Sequence, residues 1–149
     1  SSYNFSLHSL KGLSPFLERT EEAQVLNMEG DTIWENETFR TCIFPYSGEK
    51  ILEKKYTKWF DCDKINCELT VRTRRSGDYM AVSQSGGHKK LTRCMIDDKI
   101  PGELRGKLPL VVDGNEVLWI VGGRINERYK ITSETGRVLE ITYQGGNVQ

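Results

Sequence analysis

Apolar and polar residues alternate along much of this chain, the two-residue period of half-buried strands. Tyr3, Phe5 and Leu7 alternate with polar neighbours, and residues 25–28 and 38–44 carry the same strand pattern. Turns are expected between them at Gly30-Asp31 and Pro45-Tyr46-Ser47-Gly48. The aromatic run at 56–60 predicts a further strand, closed by Asp61-Cys62-Asp63. In Leu69-Thr70-Val71-Arg72-Thr73-Arg74 the leucine and valine face one way and the two arginines the other. That places Arg72 and Arg74 on one solvent face, roughly 7 Å apart by strand rise.

Beyond Ser76-Gly77-Asp78 and Ser85-Gly86-Gly87 the period changes. Leu91, Cys94 and Met95, at i, i+3 and i+4, predict a helix over 88–98 that ends before Pro101. Residues 103–107 suit a short helical turn. Residues 108–112 and 116–121 read as a hairpin turned at Asp113-Gly114-Asn115. Val117-Leu118-Trp119-Ile120-Val121 is apolar without alternation, so burial on both faces is expected. A last strand covers 138–143, and the tail at 145–149 should fray. The expected class is α+β: mostly antiparallel β-sheet or sandwich, with one or two short helices.

At 149 residues the chain fits one domain, or one domain with an extension. A chain of this size buries roughly 70% of its unfolded surface. No apolar run approaches the ~20 residues of a membrane helix, and no basic stretch followed by an apolar one opens the chain. No membrane partner and a cytoplasmic setting are therefore expected. The start at Ser1, without methionine, fits a segment of a longer polypeptide, with a trimmed start as the alternative. Cys42, Cys62, Cys67 and Cys94 form no Cys-x-x-Cys pair and match no zinc spacing, so they read as reduced thiols, mostly core filler. His8 and His88 are too scattered for a metal site.

Net charge is zero, yet it divides unevenly. Residues 1–68 carry 8 basic and 12 acidic side chains, and residues 69–149 carry 13 and 9. From Arg72 to Arg93 six bases (Arg72, Arg74, Arg75, Lys89, Lys90, Arg93) meet one acid, Asp78. Such a concentration suits an anionic partner, against the alternative of a solvated mixed-charge surface. On the expected helix, Lys89 and Lys90 occupy the first turn and Asp97 and Asp98 the last, the reverse of what the dipole favours. With Gly86-Gly87 exposing amides ahead of them, the lysines could form a phosphate site; the alternative is that salt screens the penalty.

Ser85-Gly86-Gly87 starts like the phosphate loop of PP-loop ATP pyrophosphatases, but His88-Lys89-Lys90 follows, without the acidic and second serine positions. No Gly-x-x-x-x-Gly-Lys loop occurs, and no catalytic arrangement is recognisable. Asp61, Asp63 and Asp78 sit where turn chemistry explains them. Trp59 and Trp119 read as core, and Tyr79 is the aromatic best placed to touch a ligand.

Several pieces in order carry a resemblance. These are Arg72-Thr73-Arg74-Arg75-Ser76-Gly77-Asp78, Lys89-Lys90-Leu91 and Asp98-Lys99-Ile100-Pro101, then the 105–109 segment and Val117-Leu118-Trp119-Ile120-Val121-Gly122-Gly123-Arg124. Over 71–143 the chain resembles the C-terminal domain of bacterial tRNA(Ile)-lysidine synthetases, and residues 55–65 look like that family's lead-in. On this basis 66–144 is the family-type module. Residues 1–65 are either an N-terminal β-rich part of it or a segment of a preceding subdomain.

The resemblance implies a non-catalytic, tRNA-binding domain that recognises the acceptor stem. Its parent enzymes use ATP, with magnesium, to join lysine to the wobble cytidine of tRNA(Ile). Their chemistry resides in an N-terminal PP-loop domain, and no cofactor is expected in this chain. Arg72, Arg74, Arg75, Lys89, Lys90 and Arg93 would contact phosphates, and Arg105 and Arg124 join them by the family pattern. The alternative is a protein-interaction or homodimerisation module built on residues 117–121, were that strand at an edge.

Overall fold

The computed structural model describes residues 22–51 and 53–145. The strand expected at residues 3–7, His8 and the tail beyond residue 145 lie outside the described residues. Among the described residues, two sheets pack against each other. One has six strands in the order β1 (Gln24–Val25), β5 (Leu69–Arg72), β8 (Leu110–Asp113), β9 (Glu116–Ile120), β6 (Tyr79–Ala81) and β7 (His88–Lys90). The other has four, in the order β2 (Gly30–Trp34), β3 (Glu37–Pro45), β10 (Arg137–Gln144) and β4 (Thr57–Asp61). Pairing is antiparallel except for one parallel contact, Tyr79 with Glu116. Among the described residues two short helices, α1 (Leu91–Asp97) and α2 (Gly102–Arg105), accompany the sheets, in keeping with the expected α+β class.

Alternation builds the four-stranded sheet. Along β10, Leu139, Ile141 and Tyr143 point inward while Glu140 and Thr142 point out. The inward side chains meet the six-stranded sheet, and Phe60 lies 6.4 Å from the Trp119 ring. Strands from either side of residue 65 share both sheets, since β1 pairs with β5 and β10 lies between β3 and β4.

Three expectations need correction. Gly30-Asp31 opens β2 rather than turning the chain, and the turn is Glu35-Asn36, with φ of 53° and 71°. Two successive positive φ values make a tight hairpin whose twist matches its strands, but glutamate is an unusual first residue there. Helix α1 begins at Leu91, because His88–Lys90 pairs with β6 through Met80 and Lys89 as the sheet's last strand. Thus Lys89 and Lys90 are not in a helical turn. Finally, β9 is an interior strand, flanked by β8 and β6, and residues 117–121 are all buried on both faces, which removes the edge on which the dimerisation alternative rested. Cys62 and Cys94 are core, whereas Cys42 and Cys67 are exposed.

Candidate nucleic-acid interface

The strand order creates the site. The β8–β9 hairpin lies between β5 and β6, so residues 73–78 must cross the hairpin, from beside Leu110 to beside Glu116. Arg72, at the end of β5, sends two guanidinium nitrogens to the Asp78 carboxylate at 2.8 and 2.9 Å and a further bond to the Gly114 carbonyl at 3.2 Å. Asp78 also accepts from the Arg75 amide at 2.7 Å and from Asn115 at 3.3 Å, while the Tyr79 amide donates to the Asn115 carbonyl. The pair clasps the crossing loop to the hairpin. Burial pushes the Asp78 carboxyl up, but the bonds from Arg72, the Arg75 amide and Asn115, with the Arg72 charge, outweigh it and hold the group below its ordinary value.

Arg72 is therefore not a surface cation; its side chain is 4% exposed and wholly committed. Arg72 keeps its place in β5 opposite Leu110, and it is buried because Asp78 and the Gly114 turn close over its guanidinium. The lone acid among six bases was the signal for this, since a single buried carboxylate inside a basic run is a counter-ion before it is a turn residue.

The clasp holds out the next two arginines. Arg74 lies over Gly106, at the end of α2, and Arg75 is exposed. With Lys90, on the edge strand opposite Tyr79, they surround an open pocket of about 440 Å³, whose wall includes Ser76, Tyr79 and Thr92. Arg93 is exposed one residue beyond Thr92. Among the described residues, Arg74, Arg75, Lys90 and Arg93 form no ion pair. The Asp78 carboxylate beside the pocket is 1% exposed and neutralised by Arg72.

The remaining predicted cations are engaged. Lys89 pairs with Asp97 at 2.9 Å, which draws the Asp97 carboxyl down, mainly through that hydrogen bond. This cross-pairing explains the charges that seemed to oppose the helix dipole. Gly86-Gly87 belongs to the β6–β7 hairpin loop, and the amides expected to face a phosphate instead donate to the Ser83 carbonyl and hydroxyl, so with Lys89 paired the expected Gly86-Gly87-Lys89-Lys90 arrangement is not present. Arg105 donates to the Ile100 carbonyl at 2.9 Å. Arg124 grips Asp98, the residue that ends α1, through two nitrogens.

A second network escaped the sequence. Glu116 binds Arg128 at 2.8 and 3.1 Å and accepts from Asn126, while the Tyr129 hydroxyl donates to Asp113 at 2.9 Å. Burial foremost, then Asp113, raises the Tyr129 phenol. Together these bonds anchor the residues after β9 to the turn end of the hairpin. Their positions, spread over 113–129, offer no periodic signal.

Comparison with known proteins gives a consistent set of likenesses. Residues 69–141 match a family described as the TilS substrate C-terminal domain. The tRNA(Ile)-lysidine synthase of Caldanaerobacter subterraneus subsp. tengcongensis is 38% identical over 128 residues, which is 85% of this chain and 27% of that protein. That of Clostridium tetani is 36% identical over 129 residues, covering 86% and 28%. The chain thus spans about a quarter of the length of these relatives. A crystal structure of a TilS C-terminal domain superposes with a TM-score of 0.59 at 25% identity, over 86% of this chain and 93% of that one.

Proposed function

Through residues 69–141 this chain belongs to the TilS substrate C-terminal domain family, and on that premise we propose that it is the tRNA-binding part of a tRNA(Ile)-lysidine synthase. It grips the acceptor stem by its phosphates through Arg74, Arg75, Lys90 and Arg93. One observation carries the reading: four cations without ion-pair partners among the described residues gather around and beside one pocket, two of them on a loop tied to the hairpin by a buried Arg–Asp clasp. Unpaired cations on a fixed frame release counter-ions from a nucleic acid without first breaking internal salt bridges. Phosphate contacts set affinity and orientation, and preference for an A-form stem comes from its shape and 2′-hydroxyls. The lysine-joining chemistry, with its ATP and magnesium, belongs to an N-terminal PP-loop domain of the same polypeptide, so this chain alone should form no lysidine from ATP, lysine and tRNA(Ile).

The test is a salt titration of tRNA(Ile) binding. The wild-type chain should weaken steeply with salt, and Arg74→Glu with Arg75→Glu should lower both the affinity and the slope, by about 0.7–0.9 per lost phosphate contact. Unchanged binding by a folded double variant would remove this surface from the interface.

A further inference from the structure

The basic surface is concave where it meets Tyr79, and a duplex backbone has no use for a hole. We propose that this pocket receives a single unpaired nucleotide of the bound RNA, its phosphate on Arg74, Arg75 and Lys90 and its base on Tyr79. The proposal rests on the RNA-binding reading above and adds what the pocket itself recognises.

Three observations support it. A volume of about 440 Å³ holds one nucleotide rather than a stretch of helix. The pocket combines cations with the half-buried face of an aromatic residue, the pairing by which unpaired bases are held. The Tyr79 ring is backed by His88, with centroids 4.9 Å apart and planes 33° from parallel, and His88 does not line the pocket. A base entering there extends a stack already begun. Ser76 and Thr92 on the wall supply hydroxyls for the ribose or base edge. The nearest carboxylate, Asp78, is neutralised by Arg72 and does not repel the phosphate.

The chemistry of phosphate plus base could come from an RNA strand or from a free mononucleotide, and the experiment separates the two. Binding is measured for a blunt RNA hairpin, for the same hairpin with a short 3′ single-stranded tail carrying 2-aminopurine, and for AMP as competitor. The tailed hairpin should bind about tenfold more tightly than the blunt one, with quenching of the 2-aminopurine. Tyr79→Phe should retain both effects. Tyr79→Leu, which keeps an apolar side chain, should lose both while still binding the blunt hairpin as the wild type does. AMP should displace the tailed hairpin only at concentrations far above that of the RNA.

Equal affinity for blunt and tailed hairpins, or undiminished quenching with Tyr79→Leu, overturns the proposal while leaving the phosphate-binding reading in place. Displacement by AMP at concentrations like that of the RNA overturns assignment to a strand. Failure of the wild type to bind either hairpin in a salt-dependent way overturns both readings together.

Discussion

Residues 74–93 and 122–130 are both basic segments of the matched domain, and they use their charges in opposite ways. In 122–130 every cation is answered: Arg124 by Asp98, Arg128 by Glu116 and Lys130 by Glu127. In 74–93 only Lys89 is answered, by Asp97, while Arg74, Arg75, Lys90 and Arg93 form no ion pair among the described residues. The 122–130 segment uses its charge to hold the chain after β9 in place, whereas 74–93 leaves four cations unanswered. Charge density alone does not tell such regions apart; the accounting of partners does.

The largest effect should come from the residue that borders both behaviours. Arg72→Ala leaves Asp78 buried and unpaired, and urea denaturation should show a loss of about 3–5 kcal/mol. The same pair governs acid sensitivity. Asp78 titrates below its ordinary 3.8 in the fold, so its contribution is present above that value and is lost as pH falls through the lower folded value. The variant should accordingly show a flatter decline of stability on acidification below about pH 4. An unchanged acid limb would mean that the clasp does not form in solution.

Next in size is Arg124→Ala, which removes a charged two-point bond from Asp98 at the end of α1. A loss of about 1.5–3 kcal/mol is expected, with tRNA affinity per folded molecule preserved. If affinity falls without loss of stability, the contrast between the two segments fails. Arg74→Glu with Arg75→Glu should do the reverse, holding stability within about 0.5 kcal/mol while weakening RNA binding. Least of all, Lys89→Ala breaks a solvent-exposed pair and should leave the denaturation midpoint where it was. A clear fall there would show the β7–α1 junction to be more dependent on its surface charges than its exposure suggests.

Local pattern was enough to place much of this molecule. The alternation at 38–44 and 138–143, the Asp113-Gly114-Asn115 turn and the uninterrupted apolar run at 117–121 identify β3, β10 and the β8–β9 hairpin, because strand period and turn conformation are set within a few residues. The basic run was equally visible, and with the ordered motifs it pointed to the family. What the sequence could not decide was which cation is free. Arg72 meets the Gly114 carbonyl 42 positions away, and Arg124 meets Asp98 across 26. The first meeting exists because a hairpin is inserted between β5 and β6 and the chain must cross it, the second because the chain leaving β9 returns to the end of α1. Likewise His88–Lys90 leaves the helical pattern because an edge strand is available to pair it. Ionic partnership and edge pairing depend on distances through space, which strand order sets, and a one-dimensional pattern carries hydrophobic period but not that order.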